Sequence, residues 1–202
     1  MIDFILHFDR YLGIVIENYG TLTYLFLFLI ILCETGLVIM PLLPGDSLLF
    51  IAGTFAAKGS LSIGWILFLL SIAAIAGDTL NYFAGAYFKT GNRIIKKEYL
   101  EKTQQFFDRY GKKAIFMARF VPIVRTIAPF VAGAGKMDYK NFIFYNITGG
   151  LTWVFLFGLA GYFFGNVPII ADNLTMVIFG IIILSTLPPI VEWFKSWYNT
   201  KI

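Results

Sequence analysis

The sequence predicts an all-α integral membrane protein with about four transmembrane helices and two re-entrant helical hairpins. Hydrophobic residues make up 58% of its 202 residues and the mean hydropathy is +0.77, which is too apolar for a soluble domain with a polar surface. Several apolar runs are long enough to cross a bilayer, and two others are interrupted by Pro, Gly and charged residues. Together these observations predict a single membrane domain over residues 1–202.

The elements follow from the apolar runs in chain order. Residues 1–18 carry several charges and no uninterrupted apolar core, which predicts an interfacial helix rather than a cleavable signal peptide. A full crossing needs roughly 20 apolar residues. The predicted spans are 19 to about 40, 62–88, 141–165 and 174–191, and the last continues into a tail that ends at residue 202.

Two stretches, 36–57 and 114–135, are predicted to form helix-break-helix hairpins. Two arms of ~10 residues would rise ~15 Å each, so that each hairpin reaches the midplane and turns back. The alternative is that each stretch forms one kinked transmembrane helix. The predicted breaks are Pro41, Pro44 and Gly45 in the first stretch and Pro122 and Pro129 in the second.

Segment 89–113 is strongly basic, with eight Lys and Arg against three acidic residues and therefore a net charge of +5. By the positive-inside rule it is cytoplasmic, which also puts both termini inside. Its apolar residues, including Phe106 and Phe107, have the spacing of an amphipathic helix that rests one face on the bilayer.

The order of a hairpin followed by a glycine-interrupted span occurs twice, in a first half over 19–88 and a second half over 114–165. In the predicted topology the first hairpin opens outward and the second inward. The two halves are then related by inversion, as in many secondary transporters, whose substrate sites lie at broken helices.

Four charged residues accompany the interrupted stretches: Glu34 and Asp46 with the first, and Arg119 and Arg125 in the second. Charge in hydrocarbon is costly, so opposite charges in the two stretches suggest that they meet. The planar guanidinium fork suits phosphate, which makes Arg119 and Arg125 candidate ligands for an anionic headgroup. A buried carboxyl beside an arginine can load and release a proton as the arginine gains or loses its ligand. The alternative is a pair of static salt bridges.

Asp78 lies on the span 62–88, three residues before Asn81 and on the same helix face. It is a weaker candidate for proton coupling, or else a packed residue bonded to Asn81 or to a hairpin backbone group. The four tryptophans are predicted to form an interfacial belt rather than a ligand site; they are Trp65, Trp153, Trp193 and Trp197.

Little in the sequence suggests catalysis. Cys33 is the only cysteine and His7 the only histidine, so no disulfide, metal site or His-based chemistry is expected. We therefore expect a protein that is not an enzyme, uses no cofactor and binds no nucleic acid.

The strings ETGLVIMPLLPGDSLLF, GDTLNYFAG and FMARFVPIVRTIAPFVAGAG resemble the signature segments of the DedA family, the bacterial branch of the VTT or SNARE-associated membrane proteins. The resemblance covers residues 20 to about 170 and is greatest to the DedA subgroup. It implies a multi-pass protein of the bacterial cytoplasmic membrane. The family's essential acids correspond to Glu34 and Asp46, and its essential arginines to Arg119 and Arg125.

The resemblance further implies a flippase, driven by the proton motive force, for undecaprenyl phosphate or a related anionic phospholipid. The alternatives are a phosphatidylethanolamine flippase or scramblase, a proton-coupled antiporter of small solutes, a lipid phosphatase or transferase, and a scaffold for other membrane proteins. The expected partners are a membrane lipid and protons. The sequence decides neither the lipid, nor H⁺ against Na⁺, nor whether the chain forms a homo-oligomer.

Overall fold

The computed structural model describes residues 19–37, 45–88 and 97–165, together with the single residues 167 and 180. All regular structure in this part of the chain is helical. The seven α-helices are α1 (Leu22–Gly36), α2 (Gly45–Ala57), α3 (Ile63–Phe88), α4 (Lys97–Tyr110), α5 (Ala114–Ala118), α6 (Pro122–Ala134) and α7 (Tyr139–Phe164), and a 3₁₀ turn over Gly111–Lys113 joins α4 to α5.

Helices α3 and α7 each have 26 residues and are long and apolar enough to cross a membrane. At 1.5 Å per residue each is ~39 Å long, which exceeds a hydrocarbon core of ~30 Å. The predicted spans 62–88 and 141–165 are therefore confirmed. Helix α1 has 15 residues and is shorter than a full crossing. The predicted helices over 1–18 and 174–191 lie outside the described residues.

The long helices α3 and α7 pack against each other, and four of the five shorter helices pack mainly on one or the other of them. Asn146 of α7 contacts Ile75 of α3, whereas Gly158, further along α7, lies against Leu67, which comes earlier in α3. Residue numbers thus rise in one helix as they fall in the other, so α3 and α7 are antiparallel. Helices α1 and α6 pack mainly on α3, and α2 and α5 mainly on α7.

Helix α2 touches α7 backbone to backbone through glycines. A Cβ atom at Gly53 would lie 2.1 Å from the carbonyl oxygen of Gly158, and one at Gly161 would lie 1.9 Å from that of Phe50. These distances exclude any side chain, so the glycines permit the helices to approach closely.

Helix α6 touches α3 in the same manner. A Cβ atom at Gly133 would lie 1.9 Å from the carbonyl oxygen of Tyr82, and one at Gly85 would lie 2.0 Å from that of Phe130. The sequence FIAG at 50–53 of α2 matches FVAG at 130–133 of α6. The second interface therefore repeats the first with corresponding residues.

The interrupted stretch 114–135 is divided into α5, of five residues, and α6, of 13 residues. Pro122 is the first residue of α6, where its missing N–H has no helical partner to lose. The predicted break at Pro129 is wrong, because α6 continues through it. One missing donor costs the helix one hydrogen bond, and here the packing of α6 against α3 outweighs that loss.

In the first stretch α1 ends at Gly36 and Gly45 is the first residue of α2, while Pro41 and Pro44 lie outside the described residues. Part of the basic segment forms α4, which packs against α6. Phe106 and Phe107, predicted to face the bilayer, are half-buried against a core that contains Tyr82, Ile115 and Val124.

Candidate functional site

Arg125, in the first turn of α6, joins the two interrupted stretches. Its Nη2 donates to Glu34 Oε1, in the last turn of α1, in a close ion pair, and its Nη1 donates to Asp46 Oδ1, in the first turn of α2, over 2.9 Å. Three of the four predicted charges thus meet at one guanidinium. All three lie at helix ends beside a break, where short helices bring their polar residues together.

Arg119 lies in a separate ion pair. It follows α5 directly, and its Nη2 donates to Asp78 Oδ2 of α3 over 2.5 Å and to Asn146 Oδ1 of α7 over 2.7 Å. The structure therefore divides the predicted cluster of four charges into two centres. Asp78, the weaker candidate from sequence, is the partner of one of the two arginines.

The two centres differ in exposure. The side chains of Arg119 and Asp78 are 1% and 4% exposed, so that pair is sealed inside the protein. Glu34 is equally sealed at 1%, whereas the side chain of Arg125 is 8% exposed and that of Asp46 is 15% exposed. Buried charges need compensating partners, and these contacts supply them. Asp46 is the most accessible of the five groups.

Gly45, the first residue of α2, lies directly against the side chain of Glu34. Its backbone N–H donates to Glu34 Oε1 over 3.2 Å, and a Cβ atom at this position would lie 2.0 Å from Glu34 Oε2. Only glycine leaves room for the carboxylate here. Gly45 therefore seats Glu34 at the start of α2, where the helix N-terminus also favours a negative charge.

Trp153, in the middle of α7, is fully buried beside both arginines. Its indole Nε1–H donates to Asp46 Oδ1 over 2.7 Å, and its ring centroid lies 4.9 Å from Arg125 Cζ and 5.7 Å from Arg119 Cζ. The prediction of an interfacial position is wrong for Trp153, because a carboxylate and two guanidiniums satisfy its polar and aromatic parts inside the protein. Trp65 is 57% exposed, as a belt residue would be.

Two buried asparagines complete the polar interior. Asn146 accepts from Arg119 and donates through Nδ2 to Ile75 O over 3.0 Å, and Asn81 Nδ2 donates to Thr126 O over 2.8 Å. Asn146 was not among the site residues predicted from the sequence. The signal that could have found it was an amide side chain within an apolar span, because such a group needs a buried partner.

Both arginines retain unused donors. Among the described residues, neither Arg125 Nε nor Arg119 Nη1 has a hydrogen-bond partner, although both are buried. On the acid side, Glu34 Oε2 and Asp78 Oδ1 are likewise without a hydrogen-bond donor in the described part of the chain. The site therefore combines two guanidiniums that can each donate one more hydrogen bond to an anion with two carboxylates, Glu34 and Asp78, that are held through one oxygen each.

Long apolar helices around a buried site of paired charges define a polytopic membrane protein with an internal polar centre. The VTT domain model matches residues 43–163, which contain most of this centre. The chain therefore belongs to the DedA family of VTT-domain membrane proteins.

Similar proteins are found in several bacteria. Protein DedA of Escherichia coli (strain K12) is 50% identical over 200 residues, which cover 95% of this chain and 91% of that protein. An uncharacterized membrane protein of Mycobacterium leprae (strain TN) is 41% identical over 179 residues, covering 85% and 78% of the two chains. The inner membrane protein YqjA of E. coli K12 is 32% identical over 152 residues, covering 72% and 69%. No solved structure matches this chain.

Proposed function

We propose that this protein is a flippase that moves an anionic phospholipid, of which undecaprenyl phosphate is the leading candidate, between the leaflets of the bacterial cytoplasmic membrane. The observation that carries the proposal is the double pairing of Arg125 with Glu34 and Asp46, which come from two different helices. A phosphate is, like these carboxylates, an anion whose oxygens accept hydrogen bonds from a guanidinium in a bidentate manner. A headgroup can therefore replace one of them at the guanidinium.

The order in which a headgroup would replace the partners of Arg125 follows from how exposed each partner is. Asp46 is the more accessible partner of Arg125, so a headgroup would replace it first, while Glu34 stays enclosed between Gly45 and Arg125. The unused Nε of Arg125 gives the phosphate a second donor, and Nη1 of Arg119 gives a third. The lipid tail would remain in the bilayer, and the phosphate ester is held without being cleaved.

Charge balance supports coupling to protons. The described site holds three acids and two bases, a net charge of −1 when all are ionised; they are Glu34, Asp46, Asp78, Arg119 and Arg125. A phosphomonoester brings about −1.5 to −2 at neutral pH. A buried carboxylate that loses its cation is more stable when protonated. We expect about two protons to enter with each dianionic headgroup, since this leaves the charge of the site unchanged.

We further propose that α2 and α6 are the second arms, in chain order, of two re-entrant hairpins related by an inverted repeat. The support is the matched packing of FIAG on α7 and FVAG on α3, together with the antiparallel course of α3 and α7. Phe130 and Gly133 lie 80 positions after Phe50 and Gly53. The residues that they contact on α3, Gly85 and Tyr82, lie 76 positions before the corresponding residues on α7, Gly161 and Gly158. In this arrangement both termini and the basic segment are cytoplasmic. The second arm of each hairpin packs on the long helix of the other half, α2 on α7 and α6 on α3.

The test is transport in liposomes that contain a polyprenyl phosphate in both leaflets. Lipid that reaches the outer leaflet is cleaved by added phosphatase, and its rate of appearance is measured with and without an imposed pH gradient. We expect gradient-dependent movement for wild type and for the exposed-charge control Lys140→Gln, and background rates for Arg125→Gln. Equal rates with and without the gradient in wild type would contradict proton coupling. Phosphate release before phosphatase is added would instead support a lipid phosphatase.

A further inference from the structure

Trp153 touches members of both ion-pair centres although it carries no charge. Its indole face lies within cation–π distance of Arg119 and Arg125, 5.7 Å and 4.9 Å from the two Cζ atoms, and its N–H donates to Asp46. It projects from the middle of α7, whereas these three partners belong to α2, α6 and the break after α5. One rigid side chain thus connects the residues at the start of α2, after α5 and at the start of α6 to a long spanning helix.

Asp46 Oδ1 is shared between two donors, Arg125 Nη1 at 2.9 Å and Trp153 Nε1 at 2.7 Å. These donors differ in what they can do when an anion arrives. The guanidinium can turn its N–H groups from the carboxylate to a phosphate, because both are anionic acceptors of similar geometry. The indole N–H is a donor only, it sits on a fully buried ring, and it has no other acceptor among the described contacts.

We propose that Trp153 is a positioning residue that holds Asp46 in place after a phosphate has displaced it from Arg125. This inference rests on the proposed function, because it concerns the step in which the headgroup replaces Asp46. In the structure Arg125 and Trp153 both donate to Asp46 Oδ1, whereas of these two only Trp153 still donates to it once the phosphate holds Arg125. Loss of the indole N–H therefore destabilises the phosphate-bound state more than the free state.

The experiment measures binding of farnesyl phosphate to the purified full-length protein by isothermal titration calorimetry, with farnesol as the control for tail binding. Trp153→Phe keeps an aromatic ring beside both arginines and removes the N–H. The indole hydrogen bond exists before and after phosphate binds, so only the strength that it gains when Arg125 turns away changes the affinity, by roughly threefold to tenfold. We expect weaker binding of farnesyl phosphate by that factor, unchanged binding of farnesol, and wild-type behaviour for the surface control Trp65→Phe.

A double-mutant cycle with Asp46→Ala separates positioning from packing. If Trp153 acts through Asp46, Trp153→Phe has no further effect on farnesyl phosphate affinity once Asp46 is removed. A role in packing alone would weaken binding equally in both backgrounds. Should Trp153→Phe fold poorly, replacement of Trp153 by benzothienylalanine removes the N–H and retains the shape of the ring.

Each outcome decides between the two proposals. Binding of farnesyl phosphate by wild type together with unchanged affinity in Trp153→Phe, or in the benzothienyl variant, overturns the positioning role and leaves the phosphate site intact. Absence of phosphate-dependent binding in wild type overturns the phosphate site, and with it the role of Trp153. Weakened binding that disappears as an effect in the Asp46→Ala background supports both.

Discussion

Removal of the Arg125 side-chain charge should destabilise the protein more than removal of its partner Glu34, and removal of both should cost less than the sum of the two single losses. In Arg125→Gln, Glu34 remains 1% exposed without its cation. Breaking a buried ion pair from one side costs about 3–5 kcal/mol. In Glu34→Gln the arginine keeps Asp46 at 2.9 Å, so we expect a smaller loss of about 1–3 kcal/mol.

The double variant Glu34→Gln/Arg125→Gln removes the Glu34–Arg125 pair as a unit, so neither residue is left as a buried charge without the other. Two amides of similar length can hydrogen-bond to each other, and Asp46 keeps its bond from Trp153. We therefore expect the double variant to be more stable than the sum of the single losses predicts, with a coupling energy of about 2–3 kcal/mol.

The assay is thermal unfolding of the purified protein in one detergent, followed by the loss of its monodisperse peak in size-exclusion chromatography. The expected loss for Arg125→Gln corresponds to a midpoint lower by roughly 6–20 °C. Lys140→Gln removes an exposed charge and serves as the matched control. A midpoint for Arg125→Gln within error of wild type, or strict additivity in the double variant, would refute the reasoning that Glu34 and Arg125 depend on each other.

The same double variant separates a structural salt bridge from a substrate site. If the Arg125 pair only held the helices together, a double variant that folds would also transport lipid. If the guanidinium binds the headgroup, the double variant folds and stays inactive in the liposome assay. Folding and transport measured on one preparation therefore distinguish the scaffold hypothesis from the flippase hypothesis.

Further predictions concern the helix contacts and the second ion pair. Gly133→Ala and Gly53→Ala should each lower stability by about 1–3 kcal/mol in thermal unfolding, since each Cβ would overlap a backbone oxygen. Gly64→Ala is the control and should be neutral, because the nearest atom to its Cβ is 3.9 Å away. Equal effects at all three sites would contradict the close packing of these helices. Pro129→Ala should leave stability unchanged or increase it by up to ~3 kcal/mol, measured as an unchanged or higher melting midpoint, because alanine restores a helical N–H donor inside α6. A markedly lower midpoint would indicate that the proline is needed for the shape of the helix. Asp78→Asn should cost about 3–5 kcal/mol, because its buried arginine keeps a charge without a counter-ion, and a neutral result would show that this arginine finds another partner.

The sequence was sufficient to predict that opposite charges meet inside the membrane domain, because charge in hydrocarbon demands a partner. It was also sufficient for the two long spans, whose length and apolarity are local properties. Which arginine pairs with which acid could not be predicted from the sequence. Whether Arg119 faces Glu34 or Asp78 depends on the rotation of each helix about its axis and on the path of the break, and the order of residues determines neither in a readable way.

Trp153 and Pro129 were misjudged because their residue types have two common uses each. Tryptophan is frequent at membrane interfaces, and nothing local shows that the indole of Trp153 lies beside a carboxylate from another helix. Proline breaks many helices, but a helix packed tightly on a neighbour tolerates the loss of one donor, as α6 does on α3. In both cases tertiary packing decides between the two uses.

The unequal burial of the two ion pairs indicates how the site can exchange partners without losing its fold. Arg119 follows α5 and is held to both long helices, through Asp78 of α3 and Asn146 of α7, in a pair that is almost completely enclosed. This anchor fixes the start of the break. Arg125, at the other end of the break, is bound to carboxylates of α1 and α2, one of which is partly exposed. A ligand that competes for Arg125 would therefore disturb contacts between short helices while the contacts to the spanning helices persist, as the proposed exchange of Asp46 for a headgroup needs.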